Sequence, residues 1–282
     1  MSSRDQELPS FRSPPVTEVV LSVQFEPISG FQLHHFGTVW GSFKEQFPEV
    51  QTQPPLPPVF EQVDIPERQP GIQFLFGGTP ALLPRMWLTN KSGTELLQIQ
   101  NDRFIHNWRK TGEGTTYPRY ERLREEFIAE FERFSSAIKQ IGLSVPRANQ
   151  CEVTYINQIA AGTGWSQHSD VAEITNLISP CVDVPTYLTH EGTNITARYL
   201  IHDEESSTKV VGRLHLEMVP AFAAPKGTPI FVLNLTARGE PVGVGDDGVL
   251  AFFDMGRKAI VQTFRAITTQ NMHAIWGIEN GS

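Results

Sequence analysis

Residues 95–109 read ELLQIQNDRFIHNWR, two alternating runs separated by Asn101-Asp102. Asn-Asp is a pair suited to a two-residue hairpin turn. Such a turn sets Gln100 opposite Arg103, Ile99 opposite Phe104 and Gln98 opposite Ile105. One face then carries Leu97, Ile99, Phe104, His106 and Trp108, and belongs against a core. The other carries Gln98, Gln100, Arg103, Asn107 and Arg109, with Leu96 and Ile105 among them. A hairpin that is apolar on one side needs a second layer to cover that side.

The covering layer follows directly. Thr116 and Pro118 open a helix in which Leu123, Phe127, Phe131, Phe134, Ile138 and Ile141 form one stripe, and Gly142 stands where a helix C-cap is expected. Before the hairpin, Pro84–Thr89 reads as a strand, with Asn90-Lys91-Ser92-Gly93 as the turn after it. Further upstream, Val19, Leu21, Val23 and Phe25 alternate with polar residues as in a half-buried strand. Leu33, Phe36, Trp40, Phe43 and Phe47 then recur at helical spacing until Pro48. The proline-dense stretch 48–70 excludes regular structure beyond short extended pieces, and Ile72–Phe76 reads as another strand.

The same order recurs downstream. Glu152–Asn157 predicts a strand, and Val171, Ile174, Leu177 and Ile178 predict a helix stopped by Pro180. Strands are expected at Thr196–His202, Lys209–Val219 and Pro229–Arg238, and a helix from Val249 to Trp276. The halves share the order and length of their elements, not their residues. The fold expected is α+β: duplicated β-α-β(3–4)-α units, with mainly antiparallel sheets and long helices packed on one face. Residues 1–15 read as a mobile N-terminal arm, 16–145 as the first unit and 146–282 as the second, a pseudo-repeat that can form one compact domain.

Net charge is −8 over 282 residues, which disfavours a dedicated nucleic-acid binder. Charge is uneven: residues 101–124 hold six Arg/Lys against three Asp/Glu, while 150–205 hold Arg198 against eight acids. Such asymmetry suits a protein partner or self-association. Cys151 and Cys181 are too few for a disulfide framework and read as buried or incidental thiols. The N-terminus lacks a signal-like apolar core and no apolar run is long enough to span a bilayer, so a cytoplasmic protein without a membrane partner is expected.

Chemistry is sparsely marked. His202-Asp203-Glu204-Glu205 with His215 and Glu217 suggests a metal site, but pairing near Lys209 would leave His215 about 20 Å along the strand from His202. His34 and His35 occupy adjacent positions expected to face apart. The glycines around Gly243–Gly248 lack a phosphate-loop Lys-Ser/Thr and read as a loop before a helix. No catalytic residue, metal or cofactor is assigned. The candidate ligand- or partner-binding residues are Gln98, Gln100, Arg103, Asn107 and Arg109, whose amides and guanidiniums suit planar polar edges, carboxylates and phosphates.

Several short motifs occur together: Pro14-Pro15-Val16-Thr17-Glu18-Val19-Val20, Gln98–Phe104 with Asn107-Trp108-Arg109, Tyr117-Pro118-Arg119-Tyr120, Glu152–Asn157, and Phe252-Phe253-Asp254 through Trp276-Gly277. This combination resembles a sporadically distributed bacterial family of uncharacterised proteins of similar length. The resemblance implies no established activity. Its patchy occurrence is of the kind seen for mobile or defence-associated genes, and one family motif falls on the 98–109 hairpin. Family members often carry His where this chain has Arg257.

The leading expectation is a non-enzymatic interaction or binding protein that engages a protein partner, itself or a ligand through a free sheet face. One alternative is an enzyme or sensor holding a phosphorylated or nucleotide ligand on that face. A second is nucleic-acid binding through the basic 101–124 region.

Overall fold

The computed structural model describes residues 8–61, 83–112, 114–179, 185–204, 206 and 208–280. The expected strand Ile72–Phe76, the Pro180 helix stop and Cys181 lie outside these residues. In chain order the first half comprises β1 (Ser10–Phe11), β2 (Val16–Phe25), α1 (His35–Gly41), β3 (Glu49–Gln53), β4 (Arg85–Thr89), β5 (Glu95–Gln100), β6 (Arg103–Arg109) and α2 (Tyr120–Gln140). The second half comprises β7 (Ala148–Ala160), a 3-10 turn at His168–Asp170, α3 (Val171–Ile174), β8 (Ile195–His202), β9 (Val210–Ala223), β10 (Thr228–Gly239), α4 (Gly245–Ile267), α5 (Gln270–Trp276) and β11 (Ile278–Asn280).

Among the described residues, nine strands form one sheet in the order β3-β4-β5-β6-β2-β7-β10-β9-β8, and every pairing is antiparallel. The α+β class holds. From the central β2–β7 pair three strands run out in a like order on each side, β6-β5-β4 and β10-β9-β8, and β3 adds a further edge strand beyond β4. The two halves therefore share a single continuous sheet. The hairpin register is Gln100 opposite Arg103, Ile99 opposite Phe104 and Gln98 opposite Ile105.

Both long helices cover the same sheet face. Phe104 on β6 meets Phe127, Phe131 and Phe134 of α2 at ring-centroid distances of 5.7, 5.6 and 5.3 Å. Helix α4 lies on β7 and β10, where Gly256 allows close approach: a Cβ there would sit 3.1 Å from Ala237 and 3.3 Å from Val153. The helices join through Phe127 and Phe253 at 4.9 Å, and Tyr120 donates to Asp254 Oδ1 at 2.7 Å. Gly142, just past α2, adopts φ +78°, the left-handed geometry that closes a helix C-terminus.

Several elements differ from expectation. Helix α1 is only seven residues long, Leu33 is exposed, and Phe43 and Phe47 are buried through the turns that follow. Gly37 and Gly41 account for its shortness, since glycine costs about 1 kcal/mol in a helix. The rings of His34 and His35 do not face apart; their centroids are 3.9 Å apart.

The expected Val249–Trp276 helix is broken into α4 and α5 at Thr268 and Thr269. Thr268 takes an extended backbone and bridges to Thr175, while Thr269 Oγ1 caps α5 by accepting from Met272 N at 3.3 Å. The same bridge ends α3 after four residues. Part of the expected arm is tied down: Phe11 is buried, and β1 pairs with β11.

Candidate functional site

The sheet face away from α2 and α4 is polar because the strand registers align polar residues in rows. One row runs Gln100, Arg103, Gln24, Gln150 across β5, β6, β2 and β7. The next runs Gln98, Ile105, Ser22, Glu152, Arg238, Arg213 from β5 to β9. Gln24, Gln98, Gln100, Arg103, Asn107 and Gln150 are all buried. Buried polar groups persist only when something satisfies them.

A strap of residues 54–61 crosses this face and satisfies many of them. Prolines at 54, 55, 57 and 58 keep it extended and leave amide donors at Leu56, Val59, Phe60 and Glu61. Three of those donors go to glutamine side chains: Leu56 N to Gln100 Oε1 at 2.8 Å, Val59 N to Gln24 Oε1 at 2.9 Å and Glu61 N to Gln150 Oε1 at 3.0 Å. Gln100 Nε2 returns a bond to the Leu56 carbonyl at 3.0 Å. Arg103 donates to the Pro57 carbonyl at 2.9 Å and to Gln24 Oε1 at 2.6 Å.

The strap is latched by Glu61. Its carboxylate accepts from Arg213 and from His215 Nε2 at 2.8 Å, with Arg238 at 3.8 Å. Burial pushes the Glu61 carboxyl up, but the His215 hydrogen bond and the charges of His215, Arg213 and Arg238 hold it below its ordinary range. His215 thus serves the strap. His202 pairs with Val210 while His215 pairs with Arg198, and no described group of three His, Cys, Asp or Glu residues is placed to hold a metal ion.

A second network runs across β4, β5, β6 and β2. Arg85 and Trp87 donate to Gln98 Oε1 at 2.7 and 3.0 Å, Gln98 Nε2 donates to Asn107 Oδ1 at 2.7 Å, and Asn107 Nδ2 donates to Glu18 Oε1 at 2.6 Å. Burial raises the Glu18 carboxyl, although the Asn107 bond and Arg109 oppose it.

Between strap and sheet lies a cavity of about 330 Å³, bounded by Glu18, Gln24, Arg85, Gln98, Arg103 and Arg238 among others. Gln24 Nε2, Gln150 Nε2, Arg85 Nε and Arg103 Nε are buried donors without an acceptor among the described residues. Arg238 is paired with Glu152 at 2.6 Å. By contrast, the smaller cleft beside Phe11, Tyr117, Tyr155 and Phe264, about 100 Å³, has its tyrosine hydroxyls bonded to each other at 3.0 Å.

Of the five residues singled out from sequence, Gln98, Arg103 and Asn107 bound the cavity and Gln100 holds the strap. Arg109 lies apart, opposite Glu18 at the other end of β6, reaching the Gly93 carbonyl at 3.4 Å. The sequence reading missed Gln24, Gln150, Arg85, Arg238 and Glu61. Gln24 was visible as a polar residue on an alternating strand; the others gave no local signal. In the basic 101–124 region three of the six cations pair with acids: Arg119 lies 3.9 Å from Glu279, Arg122 bonds Glu95 and Glu126, and Arg124 bonds Asp254.

Among the described residues no helix is long and apolar enough to cross a membrane. Comparison with family models gives no match to this chain, and comparison with curated proteins gives none either.

Proposed function

We propose that the chain is a non-enzymatic binding protein that takes up its ligand between the 54–61 strap and the polar sheet face. The observation that carries this reading is the cavity of about 330 Å³ walled by buried polar side chains with unused hydrogen-bonding capacity. Leaving such donors unmet costs about 1–3 kcal/mol each. The cavity falls in the size range of small-molecule sites. In this reading the protein works in the cytoplasm as a member of the bacterial family its motifs resemble, with the polar hairpin of that motif as one wall of the site. The enzyme reading is weaker, since among the described residues the cavity pairs no nucleophile with a base.

The test is native mass spectrometry of protein purified from its own host, comparing wild type with Ser22→Trp, which fills the cavity from the middle of β2. The expected result is a bound molecule in wild type that is lost in the variant. Ligand binding should also slow hydrogen exchange of the Val59 and Glu61 amides. An identical mass and exchange pattern in both proteins would sink the proposal.

A further inference from the structure

We infer that the ligand of this cavity carries an oxyanion, a carboxylate or a phosphate, held by the guanidinium groups of Arg85 and Arg103. The inference rests on the binding reading above and names the ligand chemistry of that site.

Arg103 is 8% exposed and Arg85 is half-buried, and both line the cavity. Neither has a carboxylate within ion-pair distance among the described residues. Arg103 spends one terminal nitrogen on two neutral carbonyl oxygens, Gln24 Oε1 and Pro57 O. Arg85 spends one on Gln98 Oε1 and lies 5.5 Å over the Trp87 ring. Each keeps a buried Nε without an acceptor.

A guanidinium presents its Nε–H and one terminal N–H as a fork that matches two oxygens of a carboxylate or phosphate. In both residues one arm of that fork is unused. Burial lowers the pKa of each, and Arg103 lowers Arg85 further; at Arg103 the carboxylates of Asp102 and Glu152, too far to bond it, offset only part of the drop. Buried like charges without a counter-ion are costly, and an anion between them removes that cost. Arg238, the third guanidinium at the cavity, is already neutralised by Glu152. Among the described residues, Arg85 and Arg103 are thus the guanidiniums at the cavity without a bonded carboxylate.

The rest of the wall extends the same preference. Gln24 Nε2 and Gln150 Nε2 are two further buried donors awaiting acceptors. Their carbonyl oxygens are held by strap amides, so the amide groups are oriented with nitrogen free. Glu18, at the other end of the Arg85–Gln98–Asn107 chain, is the one carboxylate at the cavity without an arginine bound to it, and burial favours its protonated form.

The test is calorimetric titration of the full chain with inorganic phosphate and, in a separate arm, with succinate, each at ionic strength matched with chloride. The expected result is saturable binding in one arm, which identifies the oxyanion. Arg103→Gln and Arg85→Gln should each weaken it at least tenfold, while Lys226→Gln, on an exposed turn, leaves it unchanged. Melting temperature without ligand controls for folding; Arg85→Gln relieves the repulsion and should melt no lower than wild type. Equal affinity in wild type and both arginine variants would overturn the inference, as would phosphate and succinate binding no better than chloride. If Ser22→Trp still expels a co-purified molecule that neither arginine variant affects, the oxyanion assignment falls and the binding face stands. If Ser22→Trp expels nothing, both fall.

Discussion

His106 Nδ1 lies 2.7 Å from Glu130 Oε2, and their side chains are 1% and 3% exposed. The sequence places His106 on the core side of its hairpin, which is where it lies, but the partner comes from a helix 24 residues away. Burial drives the imidazole down, yet the carboxylates of Glu130, Glu126 and Glu95 together raise it above its ordinary value. Gln46 completes the group by donating to Glu130 Oε1 at 3.3 Å.

A histidine raised in the fold stabilises fully below its unfolded value of about 6.5, and that contribution fades as pH rises through the folded value. Glu130→Gln leaves a buried imidazole without its bonded carboxylate, with only the more distant Glu126 and Glu95 as counter-charge, a change that costs about 3–5 kcal/mol. The expected outcome is a gap of that size between wild type and variant in urea unfolding near pH 6, narrowing near pH 9. A gap that does not change with pH would mean the pair is neutral.

Helix α2 shows why some elements are readable from sequence. Its stripe has one period throughout, and Phe127, Phe131 and Phe134 are all buried against Phe104 or one another. Phe134→Ala should cost about 3–5 kcal/mol in denaturant unfolding, because the aromatic neighbours cannot close the space. The break between α4 and α5 is different. Apolar residues continue through Ile267, Met272 and Trp276, so periodicity alone reads one helix. What ends it is a backbone bridge from Thr268 to Thr175, and no local pattern reports a partner so far off in sequence.

The strap is hardest to see, since a proline-dense stretch has no period at all. Its attachment is testable at the level of the segment. Gln100→Leu removes both bonds to Leu56, each worth about 1 kcal/mol net. The Leu56 amide should then exchange at least about tenfold faster, with global unfolding changed much less. Unchanged exchange at Leu56 would show that Glu61 and the prolines hold the strap without Gln100.

Across the whole molecule, the two units recognised in the sequence share one sheet and one helical layer. The residues that build the site come from both: Arg85, Gln98 and Arg103 from one half, Gln150, Glu152 and Arg238 from the other. The hairpin wall was legible because a two-residue turn fixes its register. Gln24 and Gln150 were not brought together, because they meet only through the β2–β7 pairing across 126 positions of sequence. Residues 16–145 alone would leave β2 as a bare edge and expose the α4-facing side of α2. Expressed separately, each half should be aggregated or unfolded by circular dichroism and size exclusion, and co-expression should restore a soluble complex. Two independently folding halves would contradict this.

The matching of three strands on either side of the β2–β7 pair, with β3 as an extra edge, has one more effect. A homodimer built on the same order would repeat every side chain on both sides of the β2–β7 pair, and any pocket off its axis would occur twice. Here the two sides are parts of one covalent chain and differ: Arg103 stands opposite Gln24 of β2, whereas β10 sets Val232 opposite Gln158 of β7. The cavity therefore occurs once, walled by Arg103 from one half and Arg238 from the other. The expected stoichiometry is a single ligand per chain, with a simple hyperbolic isotherm.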